Sequence, residues 1–317
     1  MSYGQLNTKN KMAKIAYYLF ILPFSYLPLP VLYLFTDFFY LLLITIAPYR
    51  KSVIEGNLQR SFPEKNAQEI KALKRKFYRH FTDLLAEGIK NLSLSKKGYQ
   101  KRFKVVNPEL MNQLYAKKKS VLLVSGHYNN WEWLVTSQDT LFDHQAYGIG
   151  MPMTSKFWDK KINAKRQRFG MKVVHAKNYK EELSKKPNET KAILLLSDQS
   201  PADSNKSYWM NFLNQQTAVL FGAEIMAHQL DYAVVFFITR KVKRGHYEME
   251  LTTITEQPHT QKWGEITEKH TQLLEKEILA QPQFWLWSHK RWKRDVPSDL
   301  EKLKQQQRAF FNQKFNQ

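Results

Sequence analysis

An apolar run at 121–124, followed by Ser125-Gly126 and then His127, restricts the possible folds of this chain more than any other stretch. Valine and leucine side chains in such a short run are typical of a buried strand, and the Ser-Gly pair ends it. His127 therefore lies just past the carboxyl end of a strand. In open α/β sheets that edge is where ligands bind. The stretch predicts an α/β fold with its chemistry beside His127.

The residues after His127 predict a short helix that carries a carboxylate. Asn129 or Asn130 can cap a helix that continues from Trp131, and Glu132 lies on its first turn. Such a carboxylate can hold the imidazole Nδ1 proton, which leaves Nε2 free to accept a proton from a hydroxyl group. We expect His127 and Glu132 to form a general-base pair. The alternative is a structural histidine, because this spacing also occurs by chance.

Strand and helix patterns alternate along the middle of the chain, which predicts a largely parallel sheet flanked by helices. Single strands are predicted at 105–106, 121–124, 145–149, 172–174 and 192–196. The segments 233–238 and 247–254 are predicted as an antiparallel hairpin or as neighbouring strands at the far side of the sheet. Ahead of them, 57–63 is predicted as a connection and 67–92 as a long amphipathic helix, with Asn66 and Glu69 forming a capping box. We assign Glu87 of this helix to its solvated face.

The N-terminal region predicts a membrane anchor. Apolar runs at 15–24 and 31–47 are separated by prolines, and basic residues that begin at Lys9 flank them. Neither run reaches the roughly 20 residues of a spanning helix, so we expect one kinked anchor or two short interfacial helices. Asp37 should face protein or lipid headgroups, because a charge in hydrocarbon is costly. A pair of buried core helices is the alternative.

Domain boundaries follow from these shifts in composition. We place the N-terminal membrane anchor at 1–51, the catalytic α/β domain at 52–296 and a polar C-terminal tail at 297–317.

Charge and composition limit the partners and cofactors. The 317 residues carry a net charge of +21, which attracts nucleic acid, anionic membrane, phosphorylated lipid or an acidic carrier protein. The absence of cysteine excludes a disulfide framework, a thiolate metal site and a catalytic thiol. The two-histidine zinc helix is also missing. We therefore predict an enzyme without metal or cofactor.

Three further groups follow predicted elements. Arg166 and Arg168 precede Gly170 at a helix end, where they can complement the helix dipole or bind a phosphate. Asp198 follows a buried strand, where it is either a loop cap or a site residue. The segment 284–294 interleaves aromatic and basic residues, as at a headgroup interface or a base-stacking surface, but a single short run is weak support for nucleic-acid binding.

Several of these segments together resemble the late acyltransferases of lipid A biosynthesis, the lauroyl or myristoyl transferases of the lysophospholipid acyltransferase superfamily. The segments are 57–58, 61–63, 125–133, Arg166 before Gly170, 197–199 and 282–293. The resemblance implies a glycerol-phosphate-acyltransferase-like α/β fold with an N-terminal anchor at the cytoplasmic face of the bacterial inner membrane. It also implies transfer of a fatty acyl group from acyl-carrier protein to a hydroxyl of a lipid A precursor.

The resemblance also implies roles for particular residues. His127 and Glu132 match the catalytic pair, Arg166 the site arginine and Asp198 a nearby aspartate. We take Arg166 and Asp198 as substrate-binding candidates, together with Asn130 and Arg168. Two positions depart from the family pattern, since Gly148 replaces a basic residue and Asn214 a glycine. The acceptor therefore stays open between a lipid A precursor and an aminolipid or lysophospholipid. A basic membrane-surface protein without catalysis is the other alternative.

Overall fold

The computed structural model describes residues 11–315, so Lys9 of the predicted basic flank lies outside the described residues. Seven strands form one sheet in the order β1-β9-β8-β2-β5-β3-β4, and every neighbouring pair is parallel except β8 and β9. The strands are β1 (Phe103–Val105), β2 (Val121–Ser125), β3 (Gln145–Gly150), β4 (Lys172–His175), β5 (Lys191–Leu196), β8 (Ala233–Lys243) and β9 (His246–Thr255), and a separate antiparallel hairpin consists of β6 (Tyr208–Phe212) and β7 (Gln215–Val219). The predicted mostly parallel α/β sheet is confirmed.

Helices cover both faces of this sheet, and two clusters of buried apolar side chains fill the space between them and the strands. In chain order the helices are α1 (Leu29–Thr45), α2 (Lys51–Ser61), α3 (Ala67–Lys90), α4 (Lys96–Arg102), α5 (Glu109–Ala116), α6 (Trp131–Ser137), α7 (Lys156–Arg166), α8 (Tyr179–Ser184), α9 (Gly222–Leu230), α10 (Glu265–Ala280) and α11 (Leu300–Phe315). The predicted capping box of α3 is present, because Asn66 accepts from the Glu69 amide and Glu69 accepts from the Asn66 amide.

One local prediction fails, and one local structure has no counterpart among the predictions. The connection predicted at 57–63 is wrong for most of its length, because α2 continues to Ser61. The hairpin of β6 and β7 was not predicted. Its turn uses Leu213 and Asn214, both with positive φ, rather than the glycine that usually marks such turns.

The N-terminal region is helical but broken. Helical segments Tyr17–Ile21 and Leu22–Ser25 precede α1, and Pro28 caps α1. Within residues 11–315, no helix is both long and apolar enough to cross a membrane. Asp37 was expected to face protein or lipid headgroups, and it faces protein. Its carboxylate pairs with Arg79 at 2.8 Å and with Arg244.

One side of α1 joins the core. Leu29, Leu32 and Tyr33 belong to one core cluster and Leu43 to the other. The polar tail is helical as α11, and Phe311 of that helix is buried. The boundaries at 51 and 296 stay predictions.

Candidate active site

The register between β2 and β5 places two chain segments side by side at the carboxyl edge of the sheet. Ser125 pairs with Leu196, the last residue of β5, and the Ser197 amide donates to the Ser125 carbonyl at 2.8 Å. Two residues beyond these strand ends the chain reaches His127 on one side and Asp198 on the other. Parallel pairing thus brings together two side chains that are 71 residues apart.

Asp198 holds both the ring and the backbone of His127. The imidazole Nδ1 lies 2.6 Å from Asp198 Oδ1, and the His127 amide donates to Oδ2 at 2.8 Å. The indole Nε1 of Trp285 also donates to Oδ2, at 2.8 Å. Burial alone would raise the pKa of Asp198, but His127 and these donors lower it to about 2. An ionised Asp198 therefore accepts the Nδ1 proton and leaves Nε2 as the basic nitrogen.

Gly126 makes this approach possible. A Cβ atom at this position would lie 2.6 Å from Leu274 Cδ2 and 2.9 Å from both Cβ and Cγ of Asp198. These distances are below van der Waals contact, so a side chain at 126 would displace the carboxylate that holds His127. A glycine is therefore required at 126 for Asp198 to approach His127. The sequence indicated only that the Ser-Gly pair ends the strand.

The loop after His127 is fixed by the C-terminal aromatic segment and by its own side chains. Asn129 has φ of 51°, a left-handed conformation that asparagine tolerates. Its amide N–H donates to the Phe284 carbonyl at 2.9 Å, and its Nδ2 donates to the Thr239 carbonyl at 2.7 Å. Trp285 and Trp287 are buried, so these two rings of the segment are not free to stack on nucleic-acid bases.

The expected pair of His127 Nδ1 with Glu132 is wrong in geometry, because Asp198 occupies Nδ1. Glu132 lies in the first turn of α6 and contacts α7 instead. Its carboxylate accepts from Lys165 Nζ at 2.7 Å and also pairs with Arg166. Burial would raise the pKa of Glu132, but these two cations lower it to about 2. Glu132 therefore joins α6 to α7 rather than orienting the imidazole.

A cavity of about 870 Å³ opens beside His127. Gln199 Nε2 lies 3.3 Å from His127 Nε2, and both side chains line the cavity, as does Arg166. Much of the remaining wall is apolar or lacks a side chain, and includes Gly148, Ile149, Leu194, Leu195, Ala223 and Met226. The volume is in the range of pockets that bind small or extended organic ligands. The basic nitrogen of His127 thus faces a largely apolar space.

Two of the other substrate-binding candidates have their polar groups directed to protein atoms. Arg168 does not line this cavity, because its guanidinium donates to the carbonyls of Leu92 and Leu94. The structure therefore gives no support to a substrate contact by Arg168. Asn130 is buried and caps α6, with Oδ1 accepting the Trp133 amide at 3.0 Å.

Sequence reasoning missed three neighbours of the site. Lys165 was passed over beside two arginines, although its position one residue before Arg166 was a usable signal. The pattern of 284–294 predicts a surface role for Trp285, and the 197–199 segment indicates no role for Gln199. Within residues 11–315, no group of three or more histidine, aspartate or glutamate side chains is arranged to hold a metal ion.

Comparison with protein families places this geometry in context. Residues 6–294 match the family model described as bacterial lipid A biosynthesis acyltransferase. The match spans the N-terminal segment, the whole sheet, the His127 loop and the C-terminal aromatic segment. No curated protein matches the chain at a significant level.

Proposed function

Because this chain belongs to the bacterial lipid A biosynthesis acyltransferase family, we propose that it transfers a fatty acyl group from acyl-carrier protein to a hydroxyl group of a lipid A precursor. His127 is the general base of this reaction, and Asp198 orients its imidazole. The observation that carries the proposal is the pairing of half-buried His127 with buried Asp198 at the wall of a large, mostly apolar cavity. Fatty acyl chains require such a cavity, and a hydroxyl nucleophile requires such a base.

The reaction can be written through atoms of this site. His127 Nε2 takes the hydroxyl proton of the acceptor as its oxygen attacks the thioester carbonyl, and a tetrahedral oxyanion forms. Collapse of this intermediate breaks the carbon–sulfur bond, and the carrier thiolate leaves with the proton from His127. Asp198 stabilises the imidazolium throughout. General-base catalysis contributes about 10²–10⁴-fold, so the rest must come from positioning and from oxyanion stabilisation.

Arg166 is a cation that this cavity offers to an anionic substrate group. It lines the cavity, and its pairing with Glu132 limits the movement of the guanidinium. We assign Arg166 to the binding of the acceptor and Glu132 to holding Arg166. The substrate-binding assignment for Asp198 changes with the geometry, since its carboxylate is occupied by His127 and Trp285.

Membrane association follows from the surface beside the cavity. The ring of Tyr17 packs edge-on against Phe157 and Trp158 of α7, the helix that also carries Arg166. The N-terminal helices expose large apolar side chains, which include Leu19, Phe20, Leu34, Phe35, Phe38 and Leu41. An apolar face of this kind marks a membrane or protein contact. In this proposal it lies in the cytoplasmic leaflet of the bacterial inner membrane and supplies lipid acceptor to the cavity.

The salt dependence of turnover tests whether acyl-carrier protein is the acyl donor. Acyl-carrier protein is acidic, so the net charge of +21 should steer its approach. Turnover at subsaturating donor, measured in neutral detergent micelles, should fall steeply between about 0.1 and about 1 M salt, where the Debye length shortens from about 10 to about 3 Å. Equal use of acyl-coenzyme A, with no additional salt dependence for the carrier protein, would reject the carrier protein as donor.

The acceptor is tested by lipid mass spectrometry. Purified full-length chain, acyl-carrier protein loaded with a fatty acid and a lipid A precursor should give a product heavier by one acyl group, as an ester. An aminolipid and a lysophospholipid serve as competing acceptors in the same mixture. Exclusive acylation of either competitor would move the function to a sister transferase, and no acylation of any acceptor would reject the proposal.

A further inference from the structure

The carboxylate of Glu87 is fully buried in the middle of the fold, in the part of α3 where His80, Thr82 and Asp83 are also buried. Four neutral donors from separate parts of the chain contact it. Oε1 accepts from the Tyr33 hydroxyl at 2.7 Å and the Gly245 amide at 3.1 Å. Oε2 accepts from Asn130 Nδ2 at 2.5 Å and the Tyr247 hydroxyl at 2.7 Å. Each carboxylate oxygen therefore holds two donors.

Placing a carboxylate here is costly. Burial raises the pKa of Glu87 above its ordinary value, and the surrounding donors and the more distant Lys241 only partly compensate. An apolar side chain here would leave four buried donors without an acceptor, so Glu87 and its donors form one coupled network.

Asn130 connects Glu87 to the site. Its Nδ2 donates to Glu87, and its Oδ1 accepts the Trp133 amide at 3.0 Å, so both ends of the amide are fixed. The indole Nε1 of Trp133 donates to the Glu87 carbonyl at 3.0 Å. Two contacts from one residue of α3 thus hold the first turn of α6. That turn begins four residues after His127 and carries Glu132.

We propose that Glu87 is a positioning residue for the reaction, which acts through Asn130 to fix the start of α6 and the loop that carries His127. This inference rests on the proposed function, since it takes His127 and Glu132 as parts of the reacting site. Asn130 is then an intermediary rather than a substrate ligand.

The orientation of the donors makes a sharp test possible. In Glu87→Gln, one end of the side chain becomes an NH₂ group that faces a pair of donors. In either orientation the NH₂ opposes one fixed N–H donor, Asn130 Nδ2 or the Gly245 amide. Asn130 cannot turn its amide, because its Oδ1 caps α6. In Asn130→Asp, two carboxylates face each other. Either single variant should lower kcat by about 10²-fold, the size expected when a distant change misplaces reacting groups.

The double variant Glu87→Gln with Asn130→Asp restores the network with its polarity exchanged. The introduced glutamine then donates through its Nε2 to the introduced aspartate, which still caps α6, and accepts through its Oε1 from Tyr33 and Gly245. We expect its kcat to exceed that of either single variant by about tenfold or more, since contacting residues in one hydrogen-bond network couple. Tyr33→Phe is the matched control, because it removes a donor from the same carboxylate without touching α6. Its kcat should stay near the wild-type value although its Tm falls.

Three measurements decide the result: kcat with KM, Tm, and the NMR signal of the His127 Nδ1–H proton. The proton signal should move in both single variants, stay in place in Tyr33→Phe and return in the double variant. A kcat that follows Tm in all four variants, an unrescued double variant or an unmoved signal would overturn the positioning role. An inactive wild-type chain would reject the proposed function instead. The Nδ1–H signal of the variants would then still show whether Glu87 positions the His127 ring.

Discussion

Two carboxylates of the site, one bonded to His127 and the other to cations of α7, have different surroundings. Asp198 is buried and bonds the His127 ring at 2.6 Å, with a tryptophan as its further side-chain donor. Glu132 is partly exposed and accepts from two cations, Lys165 and Arg166. The first carboxylate can act on the base and the second only on the wall of the cavity. Asp198, which is 71 residues from His127 in sequence, bonds its ring. Glu132, which is only five residues away, bonds Lys165 and Arg166 instead.

This difference shows how a parallel sheet determines which side chains meet. Strand register places the residue two beyond β2 against the residue two beyond β5, whatever their separation in sequence. Glu132 is only five residues from His127, but the helix that starts at Trp131 directs its side chain to α7. Sequence proximity favoured the wrong partner, and topology provides the right one.

The substitution with the largest expected effect removes the general base, His127. His127→Ala should lower kcat by about 10²–10⁴-fold, the size of the general-base contribution that it removes. Turnover with loaded acyl-carrier protein measures the effect, and circular dichroism checks the fold. Near-normal turnover by a folded variant would end the general-base assignment.

Asp198→Asn should come next and lower kcat by about 10²-fold or more. The carbonyl oxygen of the introduced asparagine keeps the donors Trp285 and the His127 amide, so its NH₂ faces the ring and donates to Nδ1. The imidazole then carries its proton on Nε2 and cannot act as a base. The exposed Asp295→Asn is the matched control and should be unaffected. If Glu132→Gln costs more kcat than Asp198→Asn, the two carboxylates have been assigned the wrong way round.

Glu132→Gln should have a smaller effect, about tenfold, mainly on KM for the lipid acceptor. Loss of the carboxylate frees Lys165 and Arg166 but leaves His127 and Asp198 in place. Glu132→Asp keeps the charge and should be milder. Steady-state kinetics with varied acceptor separates kcat from KM, and the exposed Glu181→Gln serves as control. A fall in kcat at unchanged KM would place Glu132 in the chemical step.

The smallest effect concerns acid stability. Both carboxylates have folded pKa values of about 2, below their ordinary values. Each therefore contributes stability above its ordinary pKa and loses that contribution as the pH falls from about 4 to about 2. Tm should fall over this window, and less steeply in Asp198→Asn than in Asp295→Asn. Equal slopes in the two variants would show that Asp198 is not held as an ion.

The sequence predicted the sheet well because its strands are short apolar runs separated by helices, and such patterns are local. The carboxylate partner of His127 depended on register between β2 and β5, which no local pattern records. Glu87 shows a second limit. It was assigned to a solvated face, yet His80, Asp83 and Glu87 of α3 are all buried. A helix covered on two sides cannot be recognised from one apolar stripe.

The most direct test of the account is NMR of the His127 side chain in the full-length chain, with ¹⁵N-labelled histidine and His127→Ala for assignment. We predict that the neutral ring carries its proton on Nδ1, hydrogen-bonded to Asp198, and leaves Nε2 unprotonated. The Nδ1–H signal should persist in Glu132→Gln and disappear in Asp198→Asn. A signal that persists in Asp198→Asn but is lost in Glu132→Gln would contradict the central claim that Asp198 orients the base.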